Sequence, residues 1–385
     1  MKIIVAASSY PVTADESINA GVFVRDIAAQ LVSQGHQVHI LTPDKGTEIT
    51  GSPAPVTIFS WGGKEKVITR LKPKRPGDLL RLLRIMLGGR RALKRLVKSF
   101  NPDVVLAMWA IPSGFWATGL KCPYMVWVLG SDIWSMGRYP MGSSVVKHVL
   151  RGASHLFGNS MYLVEEVNRM VPGPTEFLAA GRRLPVAETP AADLPQDGPQ
   201  LVFVGRWDRV KGIDVLLDAM VRVTEKLPGI HLHLFGGGPL ESEIREQAAQ
   251  GKLRHHVTVY GFAEAEDVVA FCKACDALLI PSRQESMPII YSDSVQCGCP
   301  IVATDVGDLG RFVREQKTGI VCPPEDPDAL AEAIYAMVTS KSGPRKAYAH
   351  ALSEAAAIFD PAHNAARFVE VASTLGGNTP VQSNQ

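Results

Sequence analysis

The sequence predicts an α/β protein with two doubly wound, mostly parallel sheets in separate domains. Three observations lead there. The chain has 385 residues, more than one ordinary hydrophobic core accommodates. Apolar runs of strand length alternate with segments of helical spacing, the pattern of βαβ units. The alternation stops at a polar, proline-rich stretch around 181–199 and then restarts, which marks a linker between domains.

The elements follow in order. "KIIVAAS" is a continuous apolar run suited to a buried parallel strand. "GVFVRDIAAQLVSQG" has helical apolar spacing and ends on Gly35. "HQVHILTP", "NPDVVLAM", "PYMVWVLG" and "SHLFGNS" read as further strands. After the linker, "LVFVGR", "HLHLFGGG", "VTVYGF", "DALLIPS", "PIVATD" and "GIVCPP" repeat the pattern, with helices between them. A helical tail covers about 325–372. The expected organisation is a first domain at 1–180, a linker at 181–199 and a second domain at 200–360. A C-terminal helix and tail at 361–385 return toward the first domain. Two such domains set their strand C-termini around a cleft.

Composition narrows the function classes. Apolar residues make up 46% and charged residues 20%, with a formal net charge of +2. No global field marks a nucleic-acid binder. No apolar run approaches the ~18 residues of a membrane span, and "MKIIVAASSYPV" reads as a first strand rather than a leader. A cytoplasmic protein is expected. Of the six cysteines, Cys272 and Cys275 form a C-x-x-C, and Cys297 and Cys299 follow in "QCGCP". The first pair lies where a helix runs into a strand, which favours packing over zinc.

The candidate chemistry lies just past strand ends in the second domain. In "LVFVGRWDRVKG", Gly205 ends the strand, and Arg206 and Lys211 occupy the loop before a helix. Two cations beside a helix N-terminus suit a diphosphate, although the pair alone fits a solvated loop equally well. In "LFGGGPLESEI", Gly236, Gly237 and Gly238 permit close backbone approach. Their spacing is not that of a dinucleotide fingerprint, and a tight turn explains them too.

In "SRQESMPIIYSDS", Glu285 and Asp293 stand eight positions apart. Pro288 suits the first helical position, so a helix is expected to start at about Met287 to Ile289. Glu285 then sits ahead of it and Asp293 one to two turns inside. First-turn amides are open to an anion, and carboxylates accept hydrogen bonds from paired hydroxyls. A sugar nucleotide offers both groups. Taken alone, Glu285 also fits a capping residue and Asp293 a helix-face acid.

The order of "VGRWDRVKGIDVLLDAM", "LFGGGPLESEI", "VYGF" and "CDALLIPSRQESMPIIYSDSVQCGCPIVATDVG" resembles the second domain of glycosyltransferase family four, retaining enzymes of the GT-B fold. "AGVFVRDIAAQLVSQGHQVHILTP", "NPDVVLAMWAIPSG" and "GSDIW" resemble its first domain. The likeness covers nearly the whole chain. It implies that Arg206 and Lys211 neutralise the donor diphosphate and that Glu285 binds the donor sugar. It places the amides of Met287, Pro288 and Ile289 by sugar and phosphate, with Pro288 supplying only its position. Asp293 would grip ribose, and Phe262 would lie by the nucleobase. Gly21 would let the diphosphate approach the first helix, while Gly205 and Gly237 line the donor site. Asp132 and Trp109 fall on the acceptor side. No cofactor and no metal are implied beyond the nucleotide-sugar donor. The partners implied are that donor and a saccharide or lipid-linked acceptor, with no nucleic acid.

Three departures stand out. Asp293 is shorter than the family's usual Glu. Leu129 replaces a His common before "GSD". The linker has "GRR" at 181–183 in place of "G-V-D". "DPD" at 326–328 matches a metal-binding D-x-D but reads as a helix start.

The expected reaction is sugar transfer to an acceptor hydroxyl through an oxocarbenium-like transition state, with Arg206 and Lys211 stabilising the leaving phosphate. A nucleotide-sugar epimerase of the same architecture is the alternative enzyme, and a non-catalytic binding module the alternative class. Finally, residues 64–98 carry thirteen Lys and Arg against Glu65 and Asp78. Within them "LLRLLRIML" is apolar over a broad arc. A basic amphipathic helix of this kind suits peripheral contact with an anionic membrane; a helix packed on the sheet with a solvated basic rim also fits.

Overall fold

Strands buried on both faces must be apolar throughout, and the central strands here are. In β1 (Lys2–Ala7), β4 (Val104–Met108) and β5 (Tyr124–Val128) every residue but Lys2 is buried. The structure, a computed structural model, describes residues 1–11, 21–46, 48–63, 68, 71, 75–130, 132–133, 140–185, 194, 198–285 and 287–376. The expected linker at 181–199 and the basic segment at 64–98 each fall partly outside them, as does the tail beyond 376.

With β2 (Gln37–Pro43), β3 (Val56–Phe59), β6 (His155–Gly158) and β7 (Thr175–Phe177), these strands form a seven-stranded sheet ordered β3-β2-β1-β4-β5-β6-β7. All pairings are parallel. The two edge strands were not among those expected. β3 is four residues with one buried, and β7 is three residues, so neither presents the apolar run that betrays a central strand.

The second sheet is six-stranded, ordered β10-β9-β8-β11-β12-β13. Its strands are β8 (Gln200–Arg206), β9 (His231–Gly237), β10 (Val257–Gly261), β11 (Ala277–Ile280), β12 (Ile301–Thr304) and β13 (Gly319–Cys322), again all parallel. In each sheet the strand order reverses beside the first strand, between β1 and β4 and between β8 and β11. In open α/β sheets, ligands bind outside the strand C-termini at such a switch point.

The chain divides into two units: Met1–Ala180 with the segment from Pro361 onward, and Gly181–Asp360. The expected helical tail is three helices, Pro327–Val338, Pro344–Ile358 and Pro361–Gly376, each opened by a proline whose missing N–H costs nothing there. The first two stay with the second unit. The third packs against the helix Val22–Ser33 of the first. There Asn364 Nδ2 donates to the Ala179 carbonyl at 2.6 Å, and the Arg367 guanidinium grips both oxygens of Glu176 at 2.6 and 2.9 Å.

The loops after β8 and β11 are pinned together. Arg283 N donates to Val210 O at 2.8 Å, and its guanidinium forks onto Asp214 at 2.7 and 3.0 Å, a bidentate geometry of the stronger kind. Gly212 makes this approach feasible. Its φ is +66°, and a Cβ there would stand 1.9 Å from the Pro281 carbonyl oxygen. We expect Gly212→Ala to cost at least about 2 kcal/mol, from left-handed strain plus the clash. Urea unfolding should show a lower midpoint at unchanged slope. An unchanged midpoint would mean the two loops do not pack this closely.

Candidate functional site

The site is built from the β8–β11 switch point upward. Past β8, Asp208 caps the short turn Arg209–Lys211, its Oδ1 accepting from Lys211 N at 3.1 Å. Lys211 Nζ then donates to Glu285 Oε1, and Ser282 Oγ donates to the same oxygen at 3.1 Å. The Ser282 carbonyl is fixed in turn by Thr304 Oγ1 at 2.6 Å. The Lys211 and Glu285 side chains are 26% and 11% exposed, so solvent screens their attraction less than it would on an open surface.

The other expected residues sort unequally. Arg206 stands at the end of β8, paired with Asp208, its side chain 62% exposed; it does not join Lys211 on Glu285. Met287 and Pro288 are buried, and the helix Ile289–Gln296 begins directly after Pro288, which is its N-cap rather than its first residue. First-turn amides of such a helix have no intrahelical partner. Gly205 and Gly237 lie side by side with Gly236 and Arg206 where β8 and β9 run in register. A Cβ on Gly236 would meet the Gly205 carbonyl oxygen at 1.8 Å. These glycines therefore answer a close approach of the chain to itself. The Phe262 ring lies over Gly237, where a Cβ would come within 2.6 Å, and is 77% exposed.

In the first unit, Gly21 caps the helix Val22–Ser33 with φ 90°. Trp109 follows β4 with φ 73° and meets the Phe23 ring edge-on at 5.6 Å.

Asp293 and Asp132 are engaged by the protein's own groups. Asp293 was expected to grip a ribose. Its carboxylate instead takes the Arg182 guanidinium, Nε to Oδ1 at 2.9 Å and Nη2 to Oδ2 at 2.6 Å, and the residue is 2% exposed. Burial pushes its carboxyl above the usual carboxylate range while Arg182 opposes that rise. Asp132 was expected as a polar group beside the acceptor. It is 3% exposed, and its oxygens accept the amides of Ala110 at 2.6 Å and Gly130 at 3.0 Å. Burial raises its pKa to about 6 against those hydrogen bonds. It shapes the loops after β4 and β5.

Sequence reasoning missed Ser282, Asp208, the Arg283–Asp214 fork and Arg182. Asp208 carried a signal, as an Asp three residues before Lys211. The Arg182–Asp293 pair spans 111 residues, and no local pattern announces it.

The remaining motifs resolve simply. Asp326 Oδ1 accepts the amides of Asp328 at 3.1 Å and Ala329 at 2.9 Å, so "DPD" is a capped helix start. Cys272, Cys275, Cys297 and Cys299 are buried, and Arg345 binds the carbonyls of the first three. Among the described residues no group of three or more His, Cys, Asp or Glu is placed to hold a metal, and no helix is long and apolar enough to cross a membrane.

The helix Pro76–Phe100 buries Ile85, Gly89, Ala92, Leu93 and Leu96. Its outward face changes along its length. Leu79, Leu80, Leu83 and Leu87 are 46–50% exposed in the first half. Arg91, Lys94, Arg95 and Lys98 are exposed in the second.

Two family models match the chain. One, described as Glycosyl transferases group 1, covers residues 187–357, and the other, a Glycosyl transferase 4-like domain, covers 20–181. Both describe transfer, which does not favour an epimerase. A glycogen synthase of Mycobacterium tuberculosis is 24% identical over 356 residues, spanning 87% of this chain and 85% of its own. A phosphatidyl-myo-inositol mannosyltransferase of Mycobacterium leprae is 31% identical over 197 residues, 50% of this chain and 52% of its own. Among solved structures, a sucrose-phosphate synthase from Thermosynechococcus elongatus superposes with TM-score 0.79 at 22% identity, covering 98% of this chain and 100% of that one. HepE of Anabaena in complex with UDP-glucose gives 0.68 at 17%, covering 97% and 100%. At these identities the structural likeness is one of fold.

Proposed function

Because the chain belongs to glycosyltransferase family four, we propose that it moves a sugar from a nucleoside-diphosphate sugar to an acceptor hydroxyl with retention of configuration. The acceptor is a lipid, a lipid-linked saccharide or a cell-envelope glycan. The observation that carries the donor side is the Lys211–Glu285 pair at the β8–β11 switch point. A cation and a carboxylate in contact there match the two ends of a sugar diphosphate. Lys211, joined by the exposed side chain of Arg206, neutralises the leaving diphosphate. The first amides of the helix Ile289–Gln296 add fixed dipoles. Glu285 accepts the donor sugar's hydroxyls. The Phe262 ring and the glycine-lined end of β9 lie where the nucleoside binds. In the first unit, Gly21 gives the diphosphate room at the helix Val22–Ser33, and Trp109 serves the acceptor.

As the glycosidic bond breaks, positive charge develops on the sugar ring and negative charge on the departing phosphate. Lys211 and Arg206 lower the cost of the second without a resident metal. The departing phosphate takes the acceptor's proton, and the sugar is delivered to the face it left. The complex of HepE with UDP-glucose supports a sugar nucleotide as donor.

The acceptor reading rests on the outward face of the helix Pro76–Phe100. Its four exposed leucines enter the headgroup boundary, and its basic half meets anionic headgroups, each cation adding about 1 kcal/mol. The relative named phosphatidyl-myo-inositol mannosyltransferase acts, by its name, on a lipid.

Two outcomes test this. Glu285→Ala and Lys211→Ala should each slow sugar transfer at least about tenfold, or about 1.4 kcal/mol of transition-state stabilisation, and EDTA should leave the wild-type rate unchanged. Folded variants with wild-type rates would remove the assignment. In flotation with vesicles, the protein should rise with anionic but not neutral lipid, and salt should release it. Binding that survives changing Arg91, Lys94, Arg95 and Lys98 to Glu would refute the membrane contact.

A further inference from the structure

Arg182, within the "GRR" at 181–183, and Asp293 both fall at departures from the family-four pattern, and they bond to each other. The guanidinium engages both carboxylate oxygens, and Gln296 Nε2, one turn along the same helix, donates to the Arg182 carbonyl at 3.2 Å. Both side chains are buried, 7% and 2% exposed.

The surroundings are those of a structural joint. Residue 181 is where the chain enters the second unit, and 360 is where it leaves. Gly181 lies so close to Phe359 that a Cβ would stand 1.7 Å from its carbonyl oxygen. The Phe359 ring meets Tyr291 at 5.6 Å, and Tyr291 is fixed by Thr318 at 3.0 Å. Entry, exit and the helix Ile289–Gln296 thus form one packed cluster with the ion pair inside it.

We propose that Arg182 withdraws Asp293 from ligand recognition: the two close on each other to anchor the helix behind Glu285, and the donor's ribose hydroxyls are not read by position 293. A neutral hydroxyl replacing the guanidinium would leave a buried cation without its counter-charge, which is strongly unfavourable. A carboxylate one methylene shorter than Glu suits this partner and shortens its reach toward any other. The inference rests on the donor being a nucleoside-diphosphate sugar.

The test is the ratio of affinities for a nucleoside diphosphate and its 2′-deoxy and 3′-deoxy forms, measured by calorimetry in wild type and in Arg182→Met/Asp293→Leu. UDP, GDP and ADP are screened first, and the tightest is used. Removing a buried pair together leaves no orphan charge, so the double variant should melt near wild type while Arg182→Met alone melts lower. The ratio should stay within about twofold of wild type. A folded double variant whose ratio collapses fivefold or more would overturn the proposal, because position 293 would then be reading the hydroxyl. Should the apolar pair not fold, Arg182→Gln/Asp293→Asn carries the same comparison with both charges removed. A wild type that binds none of the three diphosphates would overturn the donor reading itself, whatever the melting temperatures.

Discussion

The contact between Lys211 and Glu285 is the constraint around which the second unit is arranged. Two opposite charges from loops 74 residues apart meet only if β8 and β11 are neighbours and both loops leave the sheet at the same end. The parallel order supplies the first condition. Gly212 lets one loop lie against the carbonyl of Pro281, and the Arg283 fork onto Asp214 locks them. In a half-buried place, each charge is also the other's counter-ion.

Three carboxylates show how environment divides labour. Glu285 shares one oxygen with a lysine and a serine and retains partial exposure. Asp293, on the helix that follows, is paired with an arginine inside the protein through both of its oxygens. Asp132 accepts backbone amides and holds two loops in shape. Residue type alone does not tell the three apart; burial and partner do.

The sheets, the restart of the alternation and the strand-end loops were legible because continuous apolar runs and glycines leave local marks. The edge strands β3 and β7 left none, being short and partly exposed. Lys211 and Glu285 were legible because each follows a strong strand, and a strand end is where such folds place chemistry. Arg182 was not. It lies in a stretch whose composition says only linker, and its partner is 111 positions away. The glycines of "LFGGG" were visible with two readings open, since a glycine required by the protein's own backbone, as Gly236 is by the Gly205 carbonyl, looks identical in sequence to one required by a ligand.

The most direct test separates the sugar from its nucleotide. Titrate wild type and Glu285→Ala with a nucleoside-diphosphate sugar and with the bare nucleoside diphosphate. If Glu285 holds the sugar and Lys211 the phosphate, the variant loses about tenfold or more in affinity for the sugar nucleotide, about 1.4 kcal/mol or more, and stays within about twofold for the diphosphate. Equal losses for both ligands, or none for either, would contradict the division of roles at the centre of the site.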